Sequence, residues 1–333
     1  MKFSIVITTY NRLSLLRRAI DIALAQTVPC ETIVVDDCSS DGTQAYVEGL
    51  CESLQRAGDS RLIYHRNRVH LGHSGSVNAG VARATGDWIK FMDDDDYLAP
   101  NCIEEMGKAI ALHPGTVICS CQAIQVDSQQ AVISKTRQVG PSRVSHIPQE
   151  DIHYGMLLEL LPFGTPIQVA CSRDAFLKSG GWDSSLDTNF DDIDSWIKIA
   201  QFGDAIFLNQ YLAYRTLWEK AYNHKLSIKK RLETNLLIKE KIYALVSNKH
   251  RHKIPQLQDI KNYIRLHWAL IALKKGNPTS AIELSYPAIL SPTAWQLLSQ
   301  ELRSKFLKKE SSTRESILPS FQANNNPESV VKI

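Results

Sequence analysis

At 333 residues the chain can bury a full core in one large domain with an appendage, and its 44% hydrophobic and 22% charged content excludes a disordered or fibrous protein. The formal charge of +3 hides a division: residues 1–215 hold 18 Lys and Arg against 26 Asp and Glu, whereas residues 216–310 hold 18 against 7. The basic segment points to anionic partners, phospholipid headgroups or a phosphorylated acceptor ahead of nucleic acid, or else to solvated helix faces with no partner.

The first hundred residues alternate short β-branched runs with helical patterns. Phe3–Thr8, Thr32–Asp36, Leu62–His65 and Trp88–Met92 read as strands buried on both faces, and Ser14–Ala25, Thr43–Arg56 and Ser74–Ala84 as the helices between them. This alternation predicts a mostly parallel sheet with right-handed crossovers, which places binding residues at the carboxyl ends of strands. Thr8-Thr9-Tyr10-Asn11, Asp36-Asp37 and Asp93-Asp94-Asp95-Asp96 follow the first, second and fourth strands, so the three clusters are expected to share one crevice. Beyond them come a helix at Asn101–His113, a strand at Val117–Val126, a loop or hairpin over Ser134–Gln149 and a strand at Pro166–Cys171. A turn at Gly180-Gly181, a helix over Asp192–Phe202 and strands at Ala205–Leu208 and Leu212–Tyr214 complete this region. From about Lys225 to Lys309 the pattern is helical with breaks near Pro255, Pro278 and Pro292, and Trp268–Leu290 looks like one helical hairpin. Residues 311–333 have the composition of a disordered tail.

Seven cysteines with no CxxC pair argue for reduced thiols, and the chain opens into FSIVITTYN with no leader pattern and no long apolar span. The expectation is a cytoplasmic protein that meets a membrane, if at all, from outside the bilayer.

Four consecutive aspartates after a buried strand raise one another's pKa and repel, so something cationic should offset them. A hard divalent ion, Mn²⁺ or Mg²⁺, shared between carboxylates and the phosphates of a substrate fits that need, the alternative being a solvated acidic turn. Dinucleotide-cofactor, P-loop and α/β-hydrolase signatures do not occur at any strand–helix junction.

Taken in order, SIVITTYNR, IVVDDCSSDGT, NAGVARATGDWIKFMDDDDYLAP and GGWDSSLDTNFDDIDSWIKIAQFG resemble the large inverting glycosyltransferase family with the GT-A fold, called family two. The resemblance covers roughly residues 1–215 and implies an α/β, Rossmann-like catalytic domain, followed here by a basic helical appendage at 216–310. It implies that Thr8, Tyr10 and Asn11 line the donor pocket, Tyr10 stacking on a pyrimidine, and that Asp37 or Asp36 accepts a hydrogen bond from the base. Asn78 matches a donor-supporting residue, Asp93 and Asp94 lie near ribose and diphosphate, and Asp95, with Asp93, is the metal site. Asp192 matches the general base and Asp191 the acidic residue before it.

Several positions depart from the pattern. Val77 stands where many members carry Arg, Asp191 where Glu is usual, and Thr216-Leu217-Trp218 where a His-containing loop is expected, leaving His224 as the candidate imidazole ligand. Arg215 could grip a diphosphate or form an ordinary salt bridge, and Trp182 could pack a turn or serve as a sugar platform. The implied reaction is inverting transfer of a hexose-type unit from a nucleotide diphosphate-sugar, UDP-linked by expectation, to a glycan or lipid-linked hydroxyl in polysaccharide or cell-envelope glycan synthesis. A nucleotidyltransferase would need a Gly-rich basic triphosphate loop, which TTYNR lacks, and a non-catalytic sugar-binding module would be expected to lose acidic residues that are present. The basic C-terminal helices have three readings: docking on anionic lipid, covering the catalytic domain, or forming a dimer.

Overall fold

The computed structural model describes residues 1–187, 190–218, 227–286 and 288–308. His224 and the predicted tail at 311–333 lie outside the described residues. The chain divides into two compact units at His224/Lys225, rather than at residue 215.

The first unit is built on one sheet. Strands β1 (Phe3–Thr9), β2 (Glu31–Asp36), β3 (Leu62–Arg66) and β4 (Trp88–Asp93) pair in parallel in the order 3-2-1-4, as the alternation of strands with α1 (Leu13–Leu24), α2 (Thr43–Arg56) and α3 (Gly72–Arg83) requires. Ile5 and Ile7 face the core shared with Leu16, Ile20, Met106 and Ile110, the last two from α4 (Cys102–Ala111). Glycines let α3 approach the opposite face, where a Cβ on Gly80 would meet Val6. The same face carries the aromatic cluster of Phe91, Phe176, Trp182 and Trp196.

The rest of the sheet departs from pure alternation. A two-residue strand β5 (Tyr97–Leu98) follows the aspartates, and β6 (Thr116–Val126) has β7 (Val132–Lys135) as its hairpin partner. The expected loop or hairpin over Ser134–Gln149 contains β7's end and β8 (Val144–Ile147), and α5 (Gln149–Leu157) begins where it stops. Strand β9 (Val169–Ser172), shorter than predicted because Pro166–Gln168 form a 3-10 turn, runs antiparallel between β4 and β6. Lys90 fastens that turn: its fully buried ammonium donates to the carbonyls of Ile167, Pro166 (3.4 Å) and Val169 (3.3 Å). Helices α6 (Arg173–Lys178) and α7 (Asp191–Ile199) follow, and the two short strands predicted near the end are one strand, β10 (Asp204–Thr216). Its register shifts between Leu208 and Ala213, where Asn209 clamps the carbonyls of Val139 and Ser142. β10 pairs parallel with β6 and antiparallel with β5, which sets Arg215 and Thr216 beside the aspartates.

The second unit is helical: α8 (Ile228–Leu245), α9 (Asn248–Arg251), α10 (Leu257–Lys274), α11 (Pro278–Ser285) and α12 (Pro292–Lys308). Pro278 and Pro292 start helices, where a missing N–H costs nothing. Leu266, Ala288, Ala294 and Leu298 form its small core. No helix among the described residues is long and apolar enough to cross a membrane.

Candidate active site

Parallel register brings the predicted clusters to one sheet edge. Thr8 is the register partner of Asp93 and Thr9 of Asp36. Thr8 Oγ1 donates to Asp93 (3.1 Å) and Thr9 Oγ1 to Asp94 (2.7 Å), so the end of β1 orients the first two aspartates. The carboxylate oxygens of Asp93, Asp95 and Asp96 converge within 4.8 Å of one another, which adds Asp96 to the predicted metal pair.

The protein itself supplies part of the expected positive charge. Arg12 reaches Asp94 (3.3 Å) and Asp95 (3.0 Å), Trp218 Nε1 donates to Asp95 (2.7 Å), and Arg18 donates to the Asp95 carbonyl (2.7 Å). Asp96 accepts from the Thr216 amide at 2.7 Å. Burial, followed by mutual repulsion, pushes Asp95 up and Asp96 well up; Asp94 is raised to about 7 by burial and its neighbours against the pull of Thr9 and Arg12. Asp93 is the exception. Burial would raise it, but the His73 ring and Thr8 bring it below the usual carboxylate range.

His73, at the start of α3, joins the aspartates after β4 to the acidic residues that open α7. Its Nε2 lies 2.9 Å from Asp93 and its Nδ1 3.1 Å from Asp191. Burial would lower the imidazole, yet the two carboxylates raise it well above its ordinary value. Asp192, at the start of α7, accepts the Ile193 amide at 2.7 Å and is raised to about 7, first by burial and then by Asp191. The charge of Arg215 lowers Asp93, Asp96 and Asp192 in turn.

Two residues of the expected donor set have other work. Asp36 is fully buried, and its two oxygens accept from the Ser39 amide (2.8 Å) and the Tyr64 hydroxyl (2.7 Å), so it braces the β2 turn and presents no face to a base. Asn78 also departs from the expectation: its oxygen accepts from the Trp182 amide and its nitrogen donates to the Trp182 carbonyl, both at 2.9 Å. It holds the Gly181-Trp182 turn, and both ends of its side-chain amide are taken up there. Gly181, at φ +73°, has no room for a Cβ beside Asn78 Oδ1.

Asp37 is also buried and accepts from Asn67 Nδ2, the amides of Leu71 and Gly72, and His70 Nδ1, all within 2.9 Å. His70 is its one exposed side-chain partner among the described residues, and the Tyr10 ring lies 4.3 Å from the His70 ring, which sets Tyr10, His70 and Asp37 in one row. Asn11 adopts a left-handed φ of 54° and accepts from the Ser40 amide, shaping the loop after β1. Trp182 is buried between Phe91, Trp196 and His73, which gives it the packing role and not the platform. Arg12, His73, Asp187 and Trp218 also join this cluster of contacts, and their partners lie in other elements of the fold. Asp187 accepts the Ser74 amide at 2.8 Å, and a Cβ on Gly72 would collide with it.

Four strand ends of one parallel-centred sheet thus deliver an acidic cluster and the Tyr10–His70 ring pair, and the start of α7 adds a second acidic pair that His73 joins to the cluster. The Glycosyl transferase family 2 profile matches residues 4–180, more than half of the chain. This chain belongs to glycosyltransferase family 2. The fold is GT-A. The Staphylococcus aureus TarS 1-349 structure in complex with UDP-GlcNAc aligns with a TM-score of 0.59 at 15% identity, covering 86% of this chain and 91% of that one. The mannosyltransferase PcManGT from Pyrobaculum calidifontis, in complex with GDP-Man and Mn²⁺, aligns at 0.52 and 18% identity, covering 94% and 88%. In sequence, the succinoglycan biosynthesis protein ExoO of Rhizobium meliloti is 39% identical over 102 residues, 30% of this chain and 27% of that protein. A Campylobacter jejuni GalNAc(5)-diNAcBac-PP-undecaprenol beta-1,3-glucosyltransferase is 35% identical over 107 residues, 32% and 33% of the two chains. The match to such curated relatives spans about a third of their length.

Proposed function

We propose that this family-two chain is a metal-dependent, inverting glycosyltransferase that moves a hexose-type sugar from a nucleotide diphosphate-sugar to a hydroxyl on a glycan or lipid-linked saccharide. The observation that carries the reading is the meeting of two acidic sets across His73: Asp93, Asp95 and Asp96 on one side, Asp191 and Asp192 on the other. One set suits a diphosphate and its cation, and the other suits a proton.

The three convergent carboxylates fit a hard divalent ion, and Asp93 and Asp95, with Asp96, would hold Mn²⁺ or Mg²⁺ there. When bound, such an ion offsets the charge that builds on the departing diphosphate. The chain's own residues do the rest. Tyr10 and Thr8 line the side of the base and ribose, and a base at Tyr10 would exchange with His70 for the Asp37 carboxylate. Asp192 takes the proton from the acceptor hydroxyl, whose oxygen forms the new bond to the anomeric carbon as the carbon–oxygen bond to the diphosphate breaks. One displacement with one base inverts the anomeric centre, and a carboxyl raised to about 7 is well matched to hold that proton near neutrality. Asp191, fixed by His73, keeps Asp192 raised and in place.

We read the donor as UDP-linked. Proteins of this fold have been solved with UDP-GlcNAc and with GDP-Man, so the base must be found by assay. The relatives' names, a succinoglycan biosynthesis protein and an undecaprenol-linked glucosyltransferase, support an acceptor in polysaccharide or cell-envelope glycan synthesis. The second unit supports peripheral contact with an anionic bilayer. Ile282 and Tyr286, one helical turn apart, and Leu290 are 69%, 80% and 90% exposed, with Ile289 and Trp295 beside them. Lys274 and Lys275 stand exposed at the end of the preceding helix, and the segment carries 18 basic against 7 acidic residues.

The deciding experiment incubates the purified protein with a panel of nucleotide-sugars and Mn²⁺ and follows nucleoside diphosphate release, repeated with EDTA and with Asp95→Ala. Metal-dependent release from one donor, lost in the variant, is the expected result. An intact panel with no metal-dependent nucleotide binding overturns the reading in favour of a sugar-binding module.

A further inference from the structure

The α3 helix touches the acceptor-side segment at three points. Asn78 holds the backbone of Trp182 at both its amide and its carbonyl, and the amide of Ser74 is capped by Asp187. The third point is His73, whose Nδ1 meets Asp191. Of the three, His73 alone also reaches the acidic cluster, through its Nε2 and Asp93 Oδ1. An imidazole between two carboxylates donates from both nitrogens, so one ring fixes two acidic side chains that lie about a hundred residues apart in the chain. The edge of the ring packs on Trp182 with centroids 5.1 Å apart, and Trp182 is itself locked by Asn78, which leaves His73 little freedom to turn.

We infer that His73 is a positioning residue that sets the acceptor-side carboxylates of α7 in register with the donor-side aspartates after β4. The inference rests on the proposed glycosyl transfer for its functional consequence but not for its structural one. Removing the imidazole leaves each acidic set intact and cuts the link between them. Steps that need only the donor set should then survive, and the step that needs both should suffer. Asn78 and Asp187 anchor the turn without touching Asp93, so they hold the segment against α3 but do not transmit its position to the acidic cluster.

The test compares the wild-type protein with His73→Ala and, as a milder change that keeps an amide N–H for one partner, His73→Gln. Three quantities are read: diphosphate release from the donor without acceptor, transfer to acceptor, and amide hydrogen exchange of residues 181–187 and 190–192 in the metal-free protein. The expected result for His73→Ala is transfer kcat down about thirtyfold or more and at least about tenfold beyond any loss of release or rise in nucleotide KM, a separation that a loss of one oriented group can produce. Exchange in the acceptor-side segment should quicken while the Asp93–Asp96 stretch is unchanged, and His73→Gln should fall between. Combining His73→Ala with Asp191→Asn should add little to either alone. Equal loss of release and transfer, unchanged exchange, or additive effects would each overturn the positioning role. If wild type itself releases no diphosphate, the proposed function fails, and the exchange measurement still judges the link.

Discussion

A pair and a run of four aspartates stand at the ends of parallel strands of the same sheet, and the protein treats the two groups oppositely. Asp36 and Asp37 at the end of β2 are buried and accept mainly from donors fixed by the fold, the Ser39, Leu71 and Gly72 amides, the Tyr64 hydroxyl and Asn67, with the exposed His70 as the exchangeable partner of Asp37. Asp93 to Asp96 after β4 are crowded against one another, and most of their partners are side chains from other elements, His73, Arg12 and Trp218. Satisfied carboxylates hold a loop, whereas crowded ones are poised for an exchange of partners. A position at the carboxyl end of a strand therefore does not by itself identify a ligand; the origin of its hydrogen-bond donors does.

That contrast can be broken most sharply at the acceptor side. Asp192→Asn should lower transfer by about 10²–10⁴-fold while leaving nucleotide affinity in place, because it removes a base and keeps the shape. In the wild-type protein kcat/KM should fall about tenfold per pH unit below about 7, since the base works only when ionised and its carboxyl is raised to about 7. A flat profile to pH 5 would remove Asp192 from that role. Next in size, Asp95→Ala should cost about 10²–10³-fold in metal-dependent diphosphate release. Its melting temperature in the metal-free state should hold or rise, because relief of repulsion offsets the lost contacts. Asp37→Ala should do the reverse, losing about 3 kcal/mol in a urea melt by stranding buried donors. If it proved as stable as wild type, the distinction between the two groups would fall. The smallest effect belongs to the second unit, where Lys274→Glu with Lys275→Glu should weaken binding to vesicles containing phosphatidylglycerol by about 1 kcal/mol per charge. Equal binding to neutral vesicles, or a change of oligomeric state with Leu290→Ser, would point instead to a second copy as the partner of that face.

Much of this was legible in the sequence for local reasons. Hydrophobic runs of four to six residues alternating with amphipathic segments mark β1 to β4 and α1 to α3 within a residue or two, and four aspartates behind WIKFM mark the strand end where carboxylates converge. What escaped is nonlocal. No periodicity announces that β9 inserts antiparallel between β4 and β6, or that the two-residue β5 recruits the end of β10 to the aspartates. Asn209 and its neighbours lack a clean strand pattern because they sit in a bulge whose side chain serves another loop. His73, in the Gly-flanked stretch His70-Leu-Gly-His-Ser-Gly, reads as a loop histidine or a donor contact, and neither reading points to Asp191, distant in sequence and beside it in the fold. The family resemblance sets Asn78 toward the donor, yet the polar backbone it meets belongs to Trp182.

The contact of Arg12 and Trp218 with Asp95 carries a thermodynamic consequence. An incoming cation at that carboxylate competes with an internal counter-ion, so its affinity reports a difference between two pairings and not one of them alone. The guanidinium it releases is half exposed, on the loop after β1, and free to turn toward an anionic guest. Cation and anion are then favoured together over either one singly, and the binding order becomes a property of one arginine's two alternatives.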